Sequence, residues 1–477
     1  MPAKLRVFLP LAALIVVVAG TIAVVSGGDD QPPTESNPTV DLALITAGES
    51  RDFGPAPEVP TEDWSPEVAE ALSQVVQRLS TGTTPSEDVR LLIDSGDARL
   101  GWPIADVLRF VGPGEANDTL TGALQQLLPD FQPDPFRAWG NAVDHLIAWD
   151  LPVPEGQYLD FKRDLYGRVE PQWADLIGDG GDVDWRLVSW GGVGIDDRGF
   201  EDDGLCNCIP ALDNPAVTPA SEGDWYPDDR IVFGVVVNGE ARAYPKNIME
   251  IHEMVNDTLG GRDLGIPYCT LCGSAQAYFT DEFPDELSEQ YGRPIFRTSG
   301  LLIRSNKMMY EINSGSFIDT FRGDAVVGPL FDEGVTFNQA SIVTATWADW
   351  KAEHPDTTII AEDGGIGRMY DLDPLNGRDD NGPIFPIGDV DPRLPVQEPI
   401  LGVLTEDGTP IAFHVGAAAS VLSEGEALVI EGLEIRLDAG GIRALTNGED
   451  AGGHQSFWFA WSQFHPDTLV WPLDFQS

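Results

Sequence analysis

At 477 residues the chain is long enough for about two to four domains, each able to bury its own core. Its 78 acidic residues outweigh 28 basic ones for a formal charge of −50, a surface that repels phosphate backbones and anionic headgroups and so excludes nucleic acid as a partner. A hydrophobic content of 42% excludes wholesale disorder.

In chain order, Lys4 and Arg6 precede an unbroken apolar run over 7–25, after which the sequence turns polar. The run has the length of a bilayer span, and its positive flank predicts an N-terminus held inside. Residues 1–28 are therefore expected to form a single-pass membrane anchor, with a cleaved signal peptide as the rival. Either places the bulk of the chain outside the cytoplasm, and the absence of a cysteine near position 26 excludes lipoprotein processing. Residues 29–60, rich in Pro, Gly and acids, read as a flexible tether.

Over 61–180 apolar residues recur at helical spacing. Ser65, Pro66 and Glu67 supply a cap, a first-turn proline and an acid ahead of Val68, Leu72, Val75 and Val76. Four further helices are expected around Val89 and Leu92, Ile104 and Leu108, Leu120 and Leu124, and Phe136, Trp139 and Val143. Short amphipathic helices with brief connections predict an all-α unit stacked like a repeat array, though no strict period runs through it. His145 beside the last stripe reads as a core or rim histidine.

After Gly178 the pattern turns to strands, predicting an α+β chain whose mainly β domain spans 181–360. Residues 231–237, Asn238-Gly239 and 241–244 read as a hairpin. Residues 264–268 and 275–279 read as strands flanking Cys269-Thr270-Leu271-Cys272, and 248–257 as a short helix before them. Residues 361–399 read as a long loop, and 400–477 as a second, shorter β lobe. Two echoes support that lobe. Trp347-x-x-Trp350-x-x-x-His354-Pro355-Asp356-Thr357 returns as Trp458-x-x-Trp461-x-x-x-His465-Pro466-Asp467-Thr468, and GVVVNGEARAY from Gly234 returns as GVLTEDGTPIAF from Gly402. The second lobe is thus expected to be a degenerate copy that lacks the Cys-x-x-Cys. The duplicated tryptophan element reads as scaffolding, with its proline stopping a helix.

The stretch ARAYPKNIMEIHEMVNDTLGGRDLGIPYCTLCGSAQAYF from Ala241, the later TSGLLIRSNKMMYEINSGSF from Thr298, and IPALDNP from Ile209 resemble a bacterial and archaeal family of exported or membrane-associated proteins, the domain of unknown function 3179. The resemblance spans roughly 185–355, with weaker echoes to Trp471. Some members are labelled selenoproteins, which implies redox use of the Cys-x-x-Cys. Cys206-Asn207-Cys208, just before the IPALDNP motif, departs from the family pattern.

Cys269 and Cys272 are the leading candidates for chemistry. Two intervening residues let both sulfurs face one point, which suits a redox pair, a structural disulfide or two corners of a metal site. The strand-like alternation after Gly273 predicts a β-turn knuckle in place of a thioredoxin-type helix. His252 is the candidate third ligand or proton acceptor beside Cys269 and Cys272, for a soft metal such as copper or zinc. Met308 and Met309 offer thioethers, of which strand alternation sends one inward, and Arg304, Ser305 and Asn306 offer a polar lining. A zinc site drawing on all four cysteines ranks lower, because Cys-x-Cys is tight for zinc. Two functions stay open: an extracytoplasmic thiol-redox or thiolate-metal protein acting on an unidentified protein or small molecule, and a non-enzymatic envelope scaffold with structural cysteines.

Overall fold

The computed structural model describes residues 34–134, 137–178, 180–202, 204–378 and 382–476. The apolar run 7–25 and Phe136 lie outside them. Among the described residues no helix is long and apolar enough to cross a membrane.

The front of the chain is helical and the rest is mainly sheet. Helices span Pro66–Ser80, Ser86–Ser95, Gly101–Phe110, Glu115–Leu127, Ala138–Trp149, Glu155–Gly167 and Pro171–Leu176. Ser65 caps the first by accepting from the Val68 amide. The last two were not anticipated. The buried face of Glu155–Gly167 carries Tyr158, Leu159, Phe161, Lys162, Leu165 and Tyr166, a stripe at helical spacing interrupted by one lysine. Lys162 is fully buried, donating to Asp106 Oδ1 at 2.9 Å and to the Val188 carbonyl at 2.7 Å. It thereby ties two helices to the strand Val188–Trp190. The helical core is continuous with the β region, because Leu72, Leu124 and Trp173 share one apolar cluster with Leu301, Met308, Phe317 and Val327. His145 sits at the rim of this core, edge-on to Phe53, Phe131 and Trp149.

Those last four residues belong to a five-stranded antiparallel sheet ordered Val188–Trp190, Phe296–Ile303, Asn306–Glu311, Ser316–Asp319, Ala325–Val327. A second sheet contains Met254–Leu259 paired antiparallel with Arg262–Cys269, and Ala277–Phe279 beside the latter. The helix expected over 248–257 is Lys246–His252 only. Glu253 takes a positive φ of 52° and the chain reverses into the strand Met254–Leu259. The left-handed cap ends the helix one residue after His252.

A nine-stranded sheet forms the back of the molecule. Ile342–Thr346, Ile231–Val237, Glu240–Pro245 and Thr358–Ile360 lie in that order, antiparallel except for the last pair. On the other side, His454–Phe457, Pro399–Leu404, Pro410–His414 and Leu469–Trp471 repeat the order and directions. The two sets meet where Ile342 pairs parallel with His454. The helices Trp347–Glu353 and Trp458–Phe464 lie over them, each stopped before a His-Pro pair. Trp350 covers Gly234 and Trp461 covers Gly402, so closely that a Cβ on either glycine would overlap the ring. Their indole N–H groups donate to Thr357 at 2.9 Å and Thr468 at 2.8 Å.

Between the two sets, residues 361–398 hold no helix or strand among the described residues. The segment folds back over the helices, where the Ile387 and Gly388 amides donate to Asp144 Oδ1 at 2.8 and 2.9 Å. Phe385 packs edge-on to Trp139 and under the Arg109 guanidinium. This path brings Arg368, Leu375, Arg378, Ile384 and Phe385 to the wall of a cleft that also reaches Cys269.

Candidate dithiol site

Cys269 ends the strand Arg262–Cys269, and Ser274 pairs back onto it across a four-residue turn. The Cys272 amide donates to the Cys269 carbonyl at 3.2 Å, and Gly273 supplies the positive φ of 58° that lets the turn close. The knuckle expected from the alternation is thus what forms, with no helix on the thiols. Phe457 braces it from the second half of the large sheet: its amide donates to the Cys272 carbonyl at 2.9 Å, and its ring lies where a Gly273 side chain would go.

Both sulfurs are free, buried, and turned to one point. Cys269 Sγ lies 3.8 Å and Cys272 Sγ 3.5 Å from the Ser305 carbonyl, and Cys272 Sγ is 3.7 Å from Ser305 Oγ. The two are not equivalent. Cys269, Thr270 and Leu271 line a cleft of about 390 Å³, together with Thr298, Lys307 and Met308, while Cys272 lies behind them.

Lys307 is buried, donates to the Glu253 carbonyl, and holds its ammonium 3.6 Å from Glu253 Oε2. Thr270 Oγ1 donates to Glu253 Oε1 at 3.5 Å. Burial pushes the Lys307 ammonium down and the Glu253 carboxyl up, each partly offset by the other. Burial also raises the Cys269 thiol, but the hydrogen bond from Cys272 and the nearby Lys307 bring it below its usual value. Cys272 is pushed well above, by burial and by donating to Cys269. The two thiols are thus driven apart, Cys269 toward easier ionisation and Cys272 toward harder.

His252 does not join this group. Its Nδ1 donates to the Pro210 carbonyl at 2.7 Å, so Nε2 accepts from the Tyr370 hydroxyl at 2.7 Å. Burial lowers its pKa to about 4, keeping the ring neutral. It lines a second cleft, of about 610 Å³, with Cys206 and Cys208. The expected metal set of Cys269, Cys272 and His252 is not assembled, because both imidazole nitrogens are spent on the junction between Pro210 and Tyr370. Among the described residues the one cluster with ligand spacing is Asp196, Cys206 and Cys208. There the two sulfurs are joined in a disulfide, and Asp196 is held by Arg198 and the Ala211 amide. A zinc site shared by all four cysteines is likewise not formed, one pair being bonded and the other free.

Met308 lines the cleft while Met309 enters the apolar cluster of Phe296 and Phe337, as strand alternation requires. Of the polar triplet expected near the site, Ser305 reaches the thiols. Lys307 and the paired Glu253 were the groups that sequence reasoning missed. The available sign was a lysine set among apolar strand residues, in a chain with only five lysines.

These features define a protein of mixed helix and sheet, with helices at the front, sheets behind, and a buried, asymmetric pair of free thiols of which Cys269 lines a cleft. Residues 206–431 match the model of the family described as Protein of unknown function (DUF3179), so the chain carries a domain of that family, as its motifs implied. The match begins at Cys206 and takes in both cysteine pairs. No curated protein and no solved structure matches the chain.

Proposed function

We propose that this chain is a membrane-anchored, extracytoplasmic dithiol protein whose Cys269 and Cys272 exchange electrons with a disulfide or thiol entering the cleft. The observation that carries this reading is the inequality of the two free thiols: Cys269 lines the cleft with Lys307 and is the more readily ionised, while Cys272 does not line it and is the harder to ionise. That is the arrangement of an attacking and a resolving thiol. Cys269 attacks one sulfur of an incoming disulfide, the S–S bond breaks, and the leaving thiolate takes the proton of Cys272. Cys272 then attacks Cys269 Sγ and expels the second thiolate. Two electrons have passed to the substrate, and the pair ends as a disulfide.

Placement outside the cytoplasm rests on the run 7–25 and its basic flank, and suits a thiol pair that must meet oxidants. We also read the second half of the large sheet as a degenerate copy of the first, supported by the matching strand orders and tryptophan contacts. Its role in this reading is to brace the thiol turn through Phe457.

The test is alkylation of the reduced full chain by iodoacetamide across pH. Cys269 is expected to react with a midpoint below the ~8.5 of a free cysteine, its rate falling as pH drops through that midpoint, while Cys272 reacts slowly. Lys307→Met should move the Cys269 midpoint upward. Two thiols inert at every pH, and unchanged in dithiothreitol redox buffers, would leave only the scaffold reading.

A further inference from the structure

The Cys206–Cys208 disulfide lies outside the dithiol reading so far, and its position is specific. Cys208 lines the cleft that holds Cys269, and it also lines the second cleft, as do Pro210 and Arg368. Cys206 lines the second cleft only. The bond therefore stands between the thiol cleft and a second cleft, with Cys208 bordering both and Cys206 the second only. The loop that carries it is pinned in place. The Gly194 amide donates to the Asn207 carbonyl at 2.7 Å, Thr298 Oγ1 donates to the Ile209 carbonyl at 2.7 Å, and the Ala211 amide donates to Asp196 at 2.8 Å. Thr298 is itself in the wall of the thiol cleft. Leu205, just ahead of the bond, is fully exposed, so the outer side faces solvent.

We infer that Cys206–Cys208 is the internal exchange partner of Cys269, relaying electrons between the buried dithiol and an external thiol or disulfide reagent. This rests on the dithiol reading and names its partner. In the forward step the Cys269 thiolate attacks Cys208 Sγ, the Cys206–Cys208 bond breaks, and Cys206 leaves as a thiolate that takes the Cys272 proton. The Cys272 thiolate then attacks Cys269 Sγ, forming Cys269–Cys272 and releasing Cys208. Two electrons move from the inner pair to the outer one with no added reagent. The outer dithiol, now in the second cleft, reduces an external disulfide by the same chemistry. The two pairs divide the labour, since Cys269 shares one cleft with Cys208 while Cys206 borders a second cleft where an external reagent can exchange with it.

The test uses the full chain with Cys206→Ser and Cys272→Ser, leaving Cys208 and Cys269. Treatment with oxidised glutathione and non-reducing peptide mapping should give a Cys208–Cys269 crosslink. Wild-type chain, fully reduced and then oxidised with limiting glutathione disulfide under acid quench, gives the order of bond formation without any variant. Cys206–Cys208 is expected first and Cys269–Cys272 after it. Separate glutathione adducts on Cys208 and Cys269, or Cys269–Cys272 forming first, would overturn the relay. If the relay fails while a Cys206→Ser, Cys208→Ser chain still cycles its inner pair with dithiothreitol, the dithiol reading stands alone. If Cys269 is inert in every chain, both fall.

Discussion

The two halves of the nine-stranded sheet share their strand order, their tryptophan over glycine, and an indole-to-threonine hydrogen bond. In each, a histidine ring lies 4.1 Å from the buried tryptophan, His354 on Trp350 and His465 on Trp461. They part at the hairpins that follow. The first half leads into Met254–Leu259 and Arg262–Cys269, ending in the thiol turn. The second leads into Leu428–Ile430 and Leu433–Asp438, and the turn that follows, before Gly441–Thr446, is Ala439-Gly440. Trp461, unlike Trp350, shares an apolar cluster with Cys269 and Cys272. The difference teaches that the tryptophan scaffold is a way to seat a helix on a sheet, common to both halves, while the free thiols lie in the hairpin of one half and are braced by the other.

The largest effect should come from removing the rings. Trp350→Ala and Trp461→Ala are each expected to cost ~3–5 kcal/mol, as large-to-small changes in a packed core do, measured by denaturant unfolding. Trp461→Ala alone should also raise the alkylation rate of Cys272, because the wall behind that thiol is lost. Equal thiol rates in the two variants would break the asymmetry drawn between the halves.

A smaller loss should follow Gly234→Ala and Gly402→Ala. Each adds a methyl group against an indole already in contact, a strain of ~1–3 kcal/mol. Thermal melts should drop by a similar amount in both. Tolerance at one site only would show that the two contacts are not equivalent.

A further effect concerns acid. Burial holds His454 at a pKa of about 3 and His465 at about 4, and both belong to the second half. Unfolded, such rings titrate near ~6.5. The unfolded chain therefore binds more protons in between, so this part of the stability is complete above pH ~6.5 and is lost as pH falls toward 4 and below. His252, at about 4, adds the same sign. Urea midpoints from pH 7 to pH 4 should fall, and His465→Gln should flatten that slope. A slope unchanged in the variant would remove His465 from the account.

Much of this architecture was legible from local pattern. The hairpin turned by Asn238-Gly239, the tryptophan helices stopped at Pro355 and Pro466, and the knuckle at Cys269 all rest on interactions between residues close in sequence. Five of the front helices showed their apolar stripe. In Glu155–Gly167 the stripe is interrupted by Lys162, whose burial is satisfied by Asp106, 56 residues earlier, and by the Val188 carbonyl. Likewise His252 looked like a ligand from its proximity to Cys269 along the chain, and the left-handed turn at Glu253 sent it elsewhere.

Sequence by itself determined most of the elements, the acidic composition, the family motifs and the pair of thiols at a bend. Tertiary structure alone decided what surrounds those thiols. Lys307 comes from another sheet, Glu253 from a helix cap, and Phe457 from a strand nearly two hundred positions away (457 against 272). The physical reason is that a thiol's proton affinity is set by burial and by charges within a few ångströms, and those neighbours are fixed by how sheets pack rather than by any spacing along the chain.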